Sequence, residues 1–164
     1  MELTTPAIDR PVAPKAYGYS TKKEGMLSWD EVRDALAAAN IFWIGTTRPD
    51  GSSHIHPIWG GWVDKTGYFE GGHTTRWGRN LAVDQRISLG VDSNGMHVSG
   101  RGSVTRGKAG EQFDRLQANY ARKYEYKPEK DGDFWRIAPE VIIALKVGSM
   151  EEFANTPTRF SFAQ

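Results

Sequence analysis

The sequence contains no cysteine, which excludes disulfides, thiolate zinc sites and cysteine nucleophiles. This fits a reducing compartment, and a cytoplasmic location is the expectation. Long apolar runs are missing as well: nothing approaches the roughly 18 residues of a membrane-spanning helix. The first residues include Glu2, Pro6 and Asp9 rather than a basic start and an apolar stretch, so no signal peptide is expected. Charge of one sign is also scarce, with a formal net charge of +1 over 164 residues. That balance gives no whole-molecule reason to bind nucleic acid or a membrane, and neither is expected as a partner. Nucleophile elbows, P-loops and Rossmann glycine patterns are absent too.

What the chain does have is enough length for one domain with a real core, and 12% aromatic residues to fill it. Residues 1–25 hold prolines and no sustained period, which reads as a flexible or extended N-terminal arm before a domain at 26–164. Ser28-Trp29-Asp30-Glu31 is a capping box. Val32, Leu36 and Ala39 follow at helical spacing, with Asn40 as a plausible end. Ile41 to Thr47 is rich in β-branched and aromatic residues and reads as a strand. Arg48-Pro49-Asp50-Gly51 is a tight turn, and Ser53 to Val63 returns as one long second strand. Asp64 to Gly67 turns again into a third strand at Tyr68. Antiparallel meander order follows from such short turns.

A short helix ends near Asp84, and strands are expected at 86–92 and 96–106. A helical pattern covers 108–124, and a long strand covers 134–147 with an irregularity at Pro139. An aromatic tail closes the chain at 157–162. The total is about six strands and three helices, which favours a closed or nearly closed barrel.

Two stretches carry candidate chemistry. Thr74, Thr75, Arg76 and Arg79 lie at a helix start just after Gly71-Gly72. Free amides, hydroxyls and guanidinium groups there suit a phosphate. The alternative is an ordinary capped helix with solvated arginines. In the second strand, His54, His56 and Ile58 share one face, and Ile55, Pro57 and Trp59 the other. Pro57 marks an edge or bulge, where a flat heteroaromatic can meet unpaired backbone. The histidines are otherwise polar residues on a wet face. No acid joins them to complete a metal site, and none is expected. Among the six tryptophans, Trp77 is the least expected in the core because Arg76 and Arg79 flank it. Arg122, Lys123 and Lys127 read as a solvated face.

The segments "WDEVRDALAAANIFWIGTTRPDGSSHIHPIW", "GYFEGGHTTRWGRNLAVDQRISLGVD" and "VSGRGSV", with the late "FWRIAPEVIIAL" and "TPTRFSF", cover about residues 26–162. Together they resemble the pyridoxamine-5′-phosphate-oxidase-like superfamily of flavin- and deazaflavin-binding split β-barrels. The resemblance implies a mainly β, six-stranded antiparallel split barrel with flanking helices, acting as a homodimer. It implies an oxidoreductase that binds coenzyme F-420 or FMN in a groove between subunits and transfers hydride to a small organic molecule.

By the same resemblance, His56, Pro57, Ile58 and Trp59 back the cofactor ring, and Glu70, Gly71, Gly72, His73 and Thr74 line its ribityl side. Thr75, Arg76, Arg79 and Asn80 correspond to the phosphate-binding helix start, and Trp77 lies among them. The second subunit would supply the regions of Arg101, Trp135 and Arg159. This chain departs from the usual pattern at Trp77-Gly78, where many relatives carry a serine followed by lysine or arginine. No catalytic side chain is assigned. His54, His56 and Arg101 are candidates to stabilise a reduced, anionic ring. Lys15, Lys22, Lys23 or Arg48 could extend a basic groove for the longer tail of F-420. The rival readings are a non-catalytic carrier of FMN, F-420 or haem with the same fold, and a decayed groove in a structural dimer.

Overall fold

A computed structural model describes residues 5–163. The first helix, α1 (Trp29–Ala38), starts as expected. The Ser28 hydroxyl accepts from the Glu31 amide at 3.3 Å, and the Glu31 carboxylate accepts from the Ser28 amide at 2.9 Å. This satisfies two of the amides a helix start leaves free. Its apolar stripe buries Trp29, Val32, Ala35 and Leu36. The far end of α1 is closed by side chains of a later helix, α3 (Phe113–Tyr124), each bonding at 2.8 Å. Asn119 donates to the Ala37 carbonyl, Lys123 to that of Ala39, and Tyr124 to that of Asn40.

The sheet has nine strands among the described residues, against the about six expected from turn spacing. They are β1 (Ala7–Asp9), β2 (Phe42–Thr47), β3 (Ser53–Ile58), β4 (Gly60–Val63), β5 (Thr66–Phe69), β6 (Arg86–Ser93), β7 (Met96–Gly107), β8 (Phe134–Lys146) and β9 (Thr158–Ser161). All pairings are antiparallel. The main path runs β1-β9-β8-β7-β6-β2-β3, and β4 pairs with β5, which pairs with β8. The path ends on β3 and β1 and does not close, so the expectation of a closed barrel is corrected to an open, forked sheet. The fork lies on β8, whose first part pairs with β5 and whose last part pairs with β9. Between them the register of β7 against β8 shifts at Arg101/Gly102, opposite Pro139, as a proline inside a ladder requires. A side chain at Gly102 would meet the Ala138 carbonyl at 2.2 Å, so only glycine fits this crossing.

Three further differences have physical reasons. The long second strand breaks at Trp59: β3 stays with β2, while β4 leaves to pair with β5. Gly60 and Gly61 permit the departure, since a Cβ there would strike Phe42 at 2.4 Å and Leu116 at 2.5 Å. The N-terminal arm supplies β1 and is held by Arg10, which donates to the carbonyls of Lys22, Glu24, Asn155 and Pro157 at 2.7–2.8 Å. Residues 1–4 of that arm lie outside the described residues. A short helix, α4 (Met150–Asn155), precedes β9, capped by Ser149. Among the described residues no helix is long and apolar enough to cross a membrane.

The main core lies between α1, the sheet and the remaining helix, α2 (Arg76–Val83). A smaller core of Val63, Tyr68, Phe113, Leu116, Tyr120 and Phe134 lies under α3.

Candidate functional site

Strand β3 ends the main path, and its two termini differ. At the hairpin terminus the turn is built locally. The Gly51 amide donates to the Arg48 carbonyl at 2.8 Å, Gly51 takes a φ of +84°, and the Asp50 carboxylate accepts from the Ser52 amide at 2.9 Å. The Arg48 guanidinium is drawn back to the Ser53 carbonyl at 2.7 Å. In the β2–β3 register Thr46 faces His54, Ile44 faces His56 and Phe42 faces Ile58. Thr46, Ile44 and Phe42 are buried, so the histidines lie on the core side of the sheet rather than on its outer face. Their rings are parallel, 6.2 Å apart at 11°. The His54 Nδ1 atom is buried and has no partner. Burial, followed by the charges of Arg48, His56 and Arg76, holds the pKa of His54 below the ordinary imidazole value.

Helix α2 brings its start to the same place. Its Asn80 side chain, 1% exposed, donates to the Thr46 hydroxyl at 3.0 Å, and the Asn80 Oδ1 atom is left unpaired. Thr75 caps the helix: its hydroxyl accepts from the Gly78 amide at 3.0 Å and donates to the Gly72 carbonyl at 2.8 Å. Gly78 explains the departure from the usual motif. A Cβ there would lie 2.7 Å from the Gly72 carbonyl and 2.9 Å from the His73 Cα, so the glycine lets the 71–75 loop fold onto the helix.

Trp77, expected outside the core, is 4% exposed and packs edge-on against Phe69 at 5.4 Å and Trp135 at 5.6 Å. Trp135 is buried too, and its indole N–H donates to the Gly71 carbonyl at 3.1 Å. These two rings hold the loop from beneath. Gly71, Gly72, His73, Thr74, Arg76 and Arg79 are exposed above them. The ion pairs among the described residues include neither Arg48, Arg76 nor Arg79. The result is a set of cations that make no such ion pair, with hydroxyls and a helix start.

Two expected residues lie elsewhere in the same chain. Arg101 pairs with Glu140, both lining a groove of about 370 Å³ with Thr47, Arg86 and Ser88. Arg159 makes a two-pronged contact with Asp9 at 2.7 and 2.5 Å. Both belong to the outer face of the sheet. There the cross-strand rows read Ile55, Gly45, Ser88, Arg101, Val141 and, one register step on, Pro57, Trp43, Gly90, Ser99, Ile143, Arg159. Small residues form the middle of this face, and Trp43 and Ile55 stand 46% and 67% exposed beside them.

At the other terminus of β3, Trp59 and Glu70, both expected at the cofactor, meet Tyr124, Tyr126 and Lys123, which were not expected in a site. Trp59 stacks flat on Tyr124, with centroids 4.5 Å apart at 5°. The Tyr124 hydroxyl reaches the Asn40 and Gly60 carbonyls at 2.8 and 2.9 Å. Lys123, expected on a solvated face, is mostly buried and donates to the Ala39 and Gly60 carbonyls at 2.8 and 2.5 Å. Burial, with a smaller contribution from Arg122, pushes its pKa down to about 7. Glu70 is half-buried, and burial raises its pKa above the usual carboxylate range. Tyr126 stands against it. For Tyr124 and Tyr126 the advance signal was the aromatic spacing Tyr120, Tyr124, Tyr126, which reads equally as a core stripe.

Residues 28–146 match the family model described as pyridoxamine 5′-phosphate oxidase. The chain belongs to that family. Solved structures place the same fold in proteins of varied description. A conserved hypothetical protein of Mycobacterium tuberculosis is 17% identical, with a TM-score of 0.63 over 76% of this chain and 88% of its own. An F420 reductase is 18% identical, with a TM-score of 0.54 over 67% of this chain and 94% of its own. A heme binding protein of Mycobacterium smegmatis is 18% identical, with a TM-score of 0.57 over 89% of this chain and 63% of its own. No curated protein matches the sequence.

Proposed function

We propose that the protein is an oxidoreductase dependent on F-420 or FMN, whose cofactor phosphate is held at the hairpin end of β3. The start of α2, where Thr75 caps the helix and the exposed Arg76 and Arg79 make no ion pair among the described residues, carries the reading. Through the Asn80–Thr46 hydrogen bond and the Thr46–His54 register it meets the strand that holds the buried, unpaired His54 Nδ1 atom. An anion would meet the cations and the free helix amides and give the nitrogen a partner. The residues therefore fit a phosphorylated cofactor. Thr74, Thr75, Arg76 and Arg79 would grip the phosphate, the 70–74 loop would follow the chain behind it, and His56 to Trp59 would lie along the ring. When bound, such a cofactor supplies hydride transfer to a small organic molecule. The protein's share is orientation, exclusion of water and stabilisation of charge near the ring by His54 and His56.

The reading includes a homodimer. The outer sheet face, flat at Gly45, Ser88, Gly90 and Ser99 and apolar at Trp43 and Ile55, suits a second copy. The partner subunit's Arg101 and Arg159 would then approach the groove by exchanging their pairs with Glu140 and Asp9.

The test is a spectroscopic titration of the purified protein with FMN and F-420, beside the Arg76→Ala variant. Loss of one charge-assisted contact costs about 1.5–3 kcal/mol, which is a tenfold or greater weakening. Equal binding by the wild type and the variant would remove the phosphate assignment. An intense Soret band in place of a flavin or deazaflavin spectrum would indicate haem.

A further inference from the structure

Trp59 is the single residue between β3 and β4, and Glu70 directly follows β5. The register Gly60 to Phe69 brings these two to the same open end of the β4–β5 ladder. One face of the indole is covered by Tyr124, yet Trp59 remains 50% exposed, so the other face meets solvent. Tyr126 stands beside it, with ring centroids 6.5 Å apart at 50°. The Tyr126 hydroxyl faces the Glu70 carboxyl, and Glu129 adds a second negative charge nearby. The platform is fixed from behind, because the Tyr124 hydroxyl is tied to Asn40 and Gly60. The ammonium of Lys123, the residue before Tyr124, is turned inward to the Ala39 and Gly60 carbonyls.

We infer that this end of β3 is a subsite for a planar cation, which stacks on the free face of Trp59 with Tyr126 as a side wall and Glu70 as counter-charge. An indole face is electron-rich and attracts a cation laid over it, most strongly where water is partly excluded. A carboxylate at the rim adds selectivity against a neutral ring of the same shape. Arg48, Arg76 and Arg79 at the opposite end repel the same cation, so a ligand is accepted in one direction only. As a statement about the electron acceptor, the inference rests on the cofactor reading above. The binding itself needs no cofactor and is tested without one.

The experiment is a titration of the full-length protein with N-methylquinolinium, and with quinoline at mildly alkaline pH as the neutral isostere. Tryptophan fluorescence quenching and calorimetry follow the binding. The cation is expected to bind about tenfold or more tightly than quinoline. Glu70→Gln should weaken the cation to the level of quinoline while leaving quinoline binding intact, which also shows that the pocket has kept its shape. Trp59→Leu should weaken both probes. Arg76→Ala, which tests the cofactor reading, should leave the cation's affinity within about twofold. Equal affinity for the two probes, an undiminished preference in Glu70→Gln, or no binding of either probe because a second copy covers Trp59 would overturn the inference.

Discussion

At the hairpin end of β3 the arginines are exposed and make no ion pair among the described residues, and the backbone beneath them is pinned by glycine and threonine. At the far end the side chains are aromatic and already bound to the protein, and a buried lysine closes the backbone. One strand of six residues thus joins an exposed basic cluster to an aromatic stack. The basic end offers charges that an anion would neutralise, whereas the aromatic end is held by its own contacts and offers a flat surface.

The largest expected effect that separates the two ends comes from Gly78→Val. The new side chain would strike the Gly72 carbonyl and the His73 backbone, neither of which can yield cheaply. Displacing the 71–75 loop should lower stability by about 2–4 kcal/mol and cofactor affinity by about a hundredfold. Binding of N-methylquinolinium at the far end should survive. Denaturant unfolding and the two titrations check this together, and parallel loss of both ligands would show that the ends are not separable.

Lys123→Met probes the other end. The Ala39 carbonyl loses the Lys123 ammonium and the Gly60 carbonyl keeps the Tyr124 hydroxyl within reach, which should cost about 1–3 kcal/mol, with the phosphate contact unchanged. The lysine also has a pH signature. Its folded pKa of about 7 lies below its ordinary 10.5, so between these values the unfolded chain binds more protons. Stability from this group is therefore full above the upper value and lost as pH falls through the lower one. Burial raises the pKa values of Tyr120 and Tyr124, which reverses the trend once pH passes their ordinary 10.0. Urea midpoints should rise from neutral pH toward that turning point, and Lys123→Met should flatten the rise.

A smaller effect belongs to His54. Its pKa is held low in the free protein, so binding a phosphate must raise it and take up a proton. Affinity for the cofactor should increase about threefold to tenfold as pH falls below neutral, and His54→Phe should abolish that slope. A slope that persists would assign the proton to another group.

Much of this fold was legible because it is decided locally. The Ser28–Glu31 box, the Arg48–Gly51 turn and the irregularity at Pro139 each follow from a few adjacent residues. The break at Trp59 was not legible, because β4 leaves β3 only on account of its pairing with β5 and the tight contacts of Gly60 and Gly61. Three extra strands escaped for the same reason: β9 exists through β8, β1 through β9, and β4 through β5. At the candidate site, Thr75 and Arg76 were visible as a helix start of suitable chemistry. Trp77 was misjudged from its charged neighbours, since α2 turns that one position into the core. Lys123 looked solvated beside Arg122, yet it lies under the end of α1, a contact that no local pattern announces.

The most direct test of the central claim compares each cofactor with its phosphate-free counterpart: FMN with riboflavin, and F-420 with its dephosphorylated chromophore, by fluorescence titration of the wild type and of Arg76→Ala. One of the two phosphorylated molecules should bind at least about a hundredfold more tightly than its counterpart, through two or more charge-assisted contacts, and Arg76→Ala should reduce that ratio by about tenfold or more. Equal affinity with and without the phosphate, in a protein that binds either ring, would contradict the account.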